Sequence, residues 1–131
     1  MVEKHWFLAE LDLRTWKVNI YDSATSINYF EQYKSDGSFT KFGQSILKEL
    51  EEIYYWDSFD LSAKKTHTPE FVKAKNAPQQ ENDTIRGDCG VFLCMFMEML
   101  ASNVPLKLNQ SNRESAIMYR TRMANIIWEM R

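Results

Sequence analysis

Two apolar segments on either side of a short polar centre near the start of the chain predict a β-hairpin. The stretch HWFLAELDLRTWKVNIYDS holds two segments rich in aromatic and β-branched residues, 5–11 and 17–21, around a polar centre at 12–15. Two strands joined by so short a connection must run antiparallel.

Helical and strand patterns follow further along the chain. The polar stretch 23–42 is predicted to be a loop with a turn at Asp36-Gly37, and apolar residues then recur at helical spacing over 43–55. Residues 69–76 weakly favour a strand, and 82–87 are predicted to form a polar turn. Residues 88–100 are apolar on nearly all sides, which predicts a buried, central helix.

The last segment begins with a helix-start signal. Ser111 with Glu114 three positions later is the pattern of a capping box. The helix that follows is predicted to bury an apolar stripe: Ala116, Ile117, Met123, Ala124, Ile127 and Met130.

This order of elements, strand–strand–helix–strand–helix–helix, predicts an α+β fold. A chain of 131 residues that is 44% hydrophobic is expected to form a single domain spanning residues 1–131.

Composition and charge exclude several classes of protein. A net charge of −2 gives no basic surface for nucleic acid, and no apolar segment approaches the roughly 20 residues of a membrane span. Cys89 and Cys94, five positions apart in one predicted helix, cannot form a disulfide, which favours a reducing, intracellular location. His67 has no metal-ligand spacing with His5 or a cysteine, so we expect neither a metal ion nor a cofactor.

The hairpin makes a geometric prediction about two polar residues. If its turn has even length and is centred between Leu13 and Arg14, His5 lies opposite Asp22 on one side of the sheet. The imidazole then hydrogen-bonds the carboxylate and its other nitrogen is left to act as a base. A turn of odd length would place Asp22 on the other face, and an ordinary pair at the end of two strands is the alternative interpretation.

Cys89 has a functional and a structural interpretation. A thiol at a helix N-terminus faces unpaired N–H groups that favour the thiolate, whereas a cysteine in an apolar helix is often simply buried. Gly87 and Gly90 allow a substrate to approach closely, and Asp88 is a candidate N-cap. An amide from the preceding loop, such as that of Gln80, would complete an oxyanion hole with backbone N–H groups.

These motifs resemble one known family. HWFLAELDLRTWKVNIYDS, followed downstream by PQQENDTIRGDCGVFLC, is similar to the catalytic region of the ubiquitin-like-protein proteases, that is, the SUMO (sentrin-specific) proteases and their plant relatives. The resemblance implies a papain-like fold in rearranged chain order, with the cysteine heading a central helix. It implies His5 as general base, Asp22 as its orienting acid, Cys89 as nucleophile, Gln80 as oxyanion donor and Trp6 as part of the substrate tunnel.

The activity implied is cleavage after the C-terminal Gly-Gly of SUMO or a related modifier, in the nucleus or cytoplasm. The expected partners are the modifier and its conjugates, without nucleic acid or membrane. Two departures from the family pattern stand out: DTIRG lengthens the loop between Gln80 and Cys89 by three residues, and the chain starts only four residues before His5. The second departure predicts a missing N-terminal portion of the domain, so a truncated, weakly active or inactive remnant that at most binds a modifier is the alternative.

Overall fold

The computed structural model of the chain describes residues 5–24, 27–58, 68–81 and 87–131. Three strands lie within them: β1 (Leu8–Asp12), β2 (Lys17–Tyr21) and β3 (Glu70–Lys73). The α-helices there are α1 (Tyr29–Ser35), α2 (Ser38–Glu52), α3 (Cys89–Ala101) and α4 (Asn112–Glu129), with a short 3-10 helix at Tyr55–Ser58. The mixture confirms the α+β class.

The strands form one sheet in the order β1-β2-β3. The Glu70 N–H donates to the Trp16 carbonyl and the Ala74 N–H to the Ile20 carbonyl, both at 2.9 Å. The partners advance together along both strands, so β3 runs parallel to β2, and the strand predicted over 69–76 is present. Helices α1 and α2 lie in the connection between β2 and β3.

The hairpin is present, with bounds that differ from the prediction. β1 begins at Leu8, so His5 precedes the strand, and the turn covers residues 13–16. The Trp16 N–H closes this turn on the Asp12 carbonyl at 2.8 Å, with Trp16 at a φ of 55°. A four-residue turn was not apparent from the sequence because its central residues carry no glycine or proline signal.

The turn shifts the predicted register by two residues. A centre between Arg14 and Thr15 places Glu10 opposite Asn19, whose side-chain amide donates to the Glu10 carboxylate at 3.0 Å. His5 and Asp22 are therefore not directly opposite each other. Because side chains alternate with a period of two, an even shift leaves both on the same face.

The chain forms two compact units. The first contains the chain up to Ala9 with Ile20–Ile27 and Lys73–Arg131. Its buried core is formed by Tyr21, Ala77, Phe92, Met95, Phe96 and Ala116. Three of these side chains belong to α3, as expected for the apolar segment that begins near Cys89.

The last helix is only partly as predicted. The capping box of Ser111 and Glu114 is present, with both reciprocal hydrogen bonds. The predicted buried stripe is wrong: Ala116 is 2% exposed, but Ile117 is 49%, Ile127 65% and Met130 80% exposed. Ala124 is also exposed and Met123 is half-buried.

The contacts between α3 and α4 explain this exposure. Arg120 bonds Asp88 at the start of α3, and Arg122 bonds Glu98 ten positions later. Neighbouring residues of α4 therefore reach both ends of α3, so the helices cross instead of lying side by side. Crossed helices contact each other only near the crossing point, and the last turns of α4 extend beyond it.

The second unit contains Glu10–Asn19 and Asn28–Val72. The prediction of a loop over 23–42 is wrong here, because α1 and the first turn of α2 lie in that stretch. Phe30 and Phe39 are buried, and the Phe39 ring stacks on Phe71 with centroids 4.6 Å apart. Aromatic packing thus stabilises helices whose sequence is largely polar. The turn at Gly37 is confirmed, with a φ of 79° between the two helices.

The helix predicted over 43–55 is α2, which starts five residues earlier and ends three residues earlier. Residues 82–86 of the predicted polar turn lie outside the described residues, whereas Gly87 lies within them. His67 also lies outside the described residues. No helix in the described ranges is long and apolar enough to cross a membrane.

Candidate active site

His5 and Asp22 form a hydrogen-bonded pair at the end of the hairpin. The His5 Nε2 lies 2.7 Å from the Asp22 Oδ1, and the two side chains are 6% and 4% exposed. The same carboxylate oxygen accepts the backbone N–H of Ala24 at 2.8 Å. Two donors therefore orient a carboxylate that is shielded from water, which strengthens its hold on the imidazole.

Cys89 is the first residue of α3 and is 7% exposed. The first hydrogen bond of the helix runs from the Phe92 N–H to the Asp88 carbonyl, at 3.0 Å. The preceding N–H groups, including those of Cys89 and Gly90, have no acceptor within the helix. Both cysteines are thiols, in agreement with the prediction that they form no disulfide.

Trp6 connects the hairpin end to the start of α3. A Cβ placed on Gly90 would lie 3.9 Å from the Trp6 Cδ1, and Trp6 itself is 57% exposed. The residue after His5 therefore lies against the residue after Cys89. Since each is the direct chain neighbour of a candidate residue, the imidazole and the thiol belong to one region of this unit.

Asp88 occupies the N-cap position, but its side chain makes no capping hydrogen bond. Its φ of −67° and ψ of −15° are helical, whereas a capping side chain requires an extended backbone at this position. The carboxylate instead accepts a hydrogen bond from Arg120. Before it, Gly87 has a φ of 63°, a left-handed conformation that suits glycine.

Gln80 is joined to Ser23 by two hydrogen bonds. The Gln80 backbone N–H donates to the Ser23 carbonyl at 2.8 Å, and the Ser23 hydroxyl donates to the Gln80 Oε1 at 3.0 Å. Gln80 therefore lies beside the residue that follows Asp22. The lengthened loop between Gln80 and Cys89 falls largely outside the described residues.

Gln79 supports the same junction, although its sequence context was that of an ordinary loop residue. Its side-chain amide donates to the carbonyls of Asp22, at 2.9 Å, and Ala77, at 2.8 Å. Asn112, the first residue of α4, donates in turn to the Gln79 carbonyl. Ser23 and Asn112 were not among the sequence candidates; the only available signal was the position of Ser23 directly after Asp22 at the end of a strand.

A buried histidine–aspartate pair and a cysteine at the head of an apolar helix, on an α+β frame, are typical of papain-like cysteine proteases. The chain belongs to the Ulp1 protease family, since the model of that family's C-terminal catalytic domain matches residues 1–131. This confirms the family resemblance, the class of cysteine protease and the fold class. No solved structure matches the chain at a significant level.

Proposed function

We propose that this protein is a cysteine isopeptidase and endopeptidase that cleaves after the C-terminal Gly-Gly of SUMO or a related ubiquitin-like modifier. One observation carries the proposal: the 2.7 Å hydrogen bond between His5 and Asp22 lies next to the contact of Trp6 with Gly90. A triad in the order His5, Asp22, Cys89 fits this geometry and the family of the chain.

The hydrogen bond supports one proposed role for each of the two ring nitrogens of His5. With Nε2 bonded to Asp22, Nδ1 is the nitrogen that accepts the thiol proton. The Cys89 sulfur attacks the carbonyl carbon of the terminal glycine while its proton passes to His5. The imidazolium then protonates the departing lysine or peptide amine, which leaves a thioester on Cys89. Water, deprotonated by His5, hydrolyses the thioester and restores the thiol.

The oxyanion formed during each attack needs hydrogen-bond donors. We assign this role to the Gln80 Nε2 and to the backbone N–H of Cys89, which has no acceptor within the helix. The Ser23 hydroxyl holds the other end of the Gln80 amide, its Oε1, at 3.0 Å. The donor end is therefore directed away from Ser23.

We assign Trp6 and Gly90 to substrate binding. The Cδ1 atom of the exposed Trp6 ring would lie 3.9 Å from a Cβ placed on Gly90, so an apolar ring borders a backbone position without a side chain. A Gly-Gly tail has no side chains and so fits a narrow passage along this ring. The tail would then be held close to the thiol, and this positioning lowers the barrier.

The proposed partners are the modifier and its conjugates in the nucleus or cytoplasm. Both cysteines are thiols, and free thiols without disulfides are typical of reducing compartments, which supports this location.

The test is covalent capture of the nucleophile. SUMO with a C-terminal vinyl sulfone is incubated with the wild-type chain, Cys89→Ala and Cys94→Ala, and the adducts are measured by mass spectrometry. We expect one adduct on the wild type and on Cys94→Ala, and none on Cys89→Ala. Cys94 is the matched control because it is a half-buried thiol on the same helix.

Ubiquitin with the same electrophile serves as the comparison for modifier preference. An adduct with ubiquitin and none with SUMO would contradict SUMO as the modifier. Equal labelling of Cys89→Ala and wild type would overturn the assignment of Cys89. If no modifier reacts, while iodoacetamide still alkylates Cys89 in the folded chain, the proposed protease function is wrong.

A further inference from the structure

We infer that Ser23 is a positioning residue that sets the orientation of the Gln80 side-chain amide, an inference that rests on the proposed function. Ser23 is 1% exposed, as deeply buried as the core aromatic residues Phe92 and Phe96. A hydroxyl at such a position must be hydrogen-bonded, and the Ser23 hydroxyl donates to the Gln80 Oε1.

The bond matters because a glutamine amide has two chemically different ends. Rotation about its last bond has a broad, two-fold preference and exchanges the positions of oxygen and nitrogen at little intrinsic cost. Only the nitrogen can donate to an oxyanion. In the structure the Ser23 hydroxyl donates to the oxygen, so the nitrogen is directed to the opposite side, and loss of this bond would leave both orientations of the amide open.

Ser23 is itself held firmly. Its carbonyl accepts the Gln80 backbone N–H at 2.8 Å, so residue 80 is fixed at both its backbone and its side chain. The preceding carbonyl, that of Asp22, accepts the Gln79 amide at 2.9 Å. Two consecutive residues after β2 therefore orient the two supporting groups of the site: Asp22 orients His5, and Ser23 orients Gln80.

The experiment compares steady-state cleavage of a fluorogenic SUMO substrate by the wild type, Ser23→Ala, Gln80→Ala and the double variant. We expect Ser23→Ala to lower kcat about tenfold, as for the loss of one hydrogen bond to the transition state, with KM unchanged. Gln80→Ala, which removes the donor itself, should lower kcat on the order of 100-fold to 1,000-fold. The double variant should match Gln80→Ala, because Ser23 has no amide left to orient.

Two further variants complete the design. Gln80→Glu keeps an acceptor for the Ser23 hydroxyl but lacks the N–H donor, so its kcat should fall as far as that of Gln80→Ala. Ser45→Ala removes a serine hydroxyl that donates to a backbone carbonyl on α2, at 3.2 Å, and should leave kcat unchanged. Thermal unfolding monitored by circular dichroism verifies that each variant is folded.

A structural readout separates this inference from the proposed function. In the wild type, the two protons of the Gln80 side-chain NH2 should give two resolved resonances in a ¹H–¹⁵N spectrum. Ser23→Ala should move their chemical shifts towards those of a mobile glutamine side chain. This measurement needs no turnover, so an inactive wild type would contradict the proposed function while the spectrum still tests Ser23.

Three results would overturn the positioning role. One is a Ser23→Ala variant with unchanged kcat and unchanged Gln80 resonances. Another is a double variant whose loss equals the product of the two single losses. The third is a Gln80→Glu variant that retains wild-type kcat. This last test remains available even if Ser23→Ala does not fold.

Discussion

Among single residues, the end of β2 is unusual because two polar side chains are buried there. Asp22 is 4% and Ser23 is 1% exposed, so two polar side chains occupy positions typical of core residues. Each is hydrogen-bonded, Asp22 to His5 and Ser23 to Gln80. Burying a polar group costs free energy unless the group is hydrogen-bonded. At the end of β2, both buried polar side chains are therefore held in defined orientations by their hydrogen bonds.

Asp22→Asn tests the role of the carboxylate. The amide keeps the shape of the side chain, but its NH2 group favours the wrong histidine tautomer, so we expect kcat to fall by roughly 10³-fold to 10⁴-fold with little change in folding. Cleavage of the fluorogenic SUMO substrate and thermal unfolding are measured together. Asp12→Asn, on the other strand of the hairpin, is the control; a turnover unchanged by Asp22→Asn would remove this residue from the site.

At the scale of elements, α3 and α4 are joined by a charged cluster at the end of α3 away from Cys89. Glu98 bonds Arg122 at 2.7 Å and accepts the Tyr119 hydroxyl, and the Arg122 guanidinium lies 5.6 Å from the Tyr119 ring centroid. The bond to Arg122, and then that to Tyr119, lower the pKa of Glu98. Burial, and then the bond to Glu98, raise the pKa of Tyr119 to about 12.

These shifts predict how stability depends on acid. A carboxyl group whose pKa is lowered on folding contributes stability above its ordinary pKa of 4.5, and this contribution is lost as the pH falls through the folded value. The free energy of unfolding should therefore differ between wild type and Glu98→Gln at pH 7, and the difference should shrink as the pH falls below 4.5. Urea unfolding across this range measures it.

Glu52→Gln is the control for that experiment, because Glu52 pairs with Lys48 on the exposed surface of α2 at 3.6 Å. Its substitution should have a smaller effect, since Glu52 has this one long ion pair, whereas Glu98 bonds both Arg122 and Tyr119. A difference for Glu98→Gln that is equally large at pH 7 and pH 3 would contradict the electrostatic origin of its contribution.

At the scale of the whole molecule, the chain forms two compact units, each with an aromatic core. Phe92 and Phe96 lie in the core of the first unit, and their ring centroids are 5.9 Å apart. In the second unit, Phe39 stacks on Phe71, and Trp16 stacks on Trp56 at 5.3 Å. The helix that begins with the proposed nucleophile Cys89 therefore also supplies much of its unit's core.

Phe92→Ala tests this structural contribution. Phe92 is 1% exposed, so its removal should lower the free energy of unfolding by about 3–5 kcal/mol through lost burial and the cavity left behind. Urea unfolding measures the change. Met97→Ala, at a position on the same helix that is 50% exposed, should cost much less; equal losses would show that α3 packs differently.

Local patterns in the sequence predicted much of the fold. The hairpin, α2, β3, α3 and the capping box of α4 are all present near their predicted positions. Such features depend on windows of a few residues, in which periodicity and cap chemistry act directly. Helix α1 was missed because it lies within a largely polar stretch. The helix is stabilised when Phe30 packs against Phe39, a contact that the local sequence does not reveal.

The sequence indicated the family, the α+β class and the position of Cys89 at the head of a helix, whereas the four-residue turn at 13–16, seen only in the structure, set the strand parity that keeps His5 and Asp22 on one face. Two other features depend on how distant segments pack: Gln79 and Gln80 bond Asp22 and Ser23, 57 positions earlier, and the predicted stripe of α4 is exposed. The physical reason is distance along the chain. Periodicity shows which face of an element is apolar, whereas the docking of one element on another decides what that face and its polar neighbours contact.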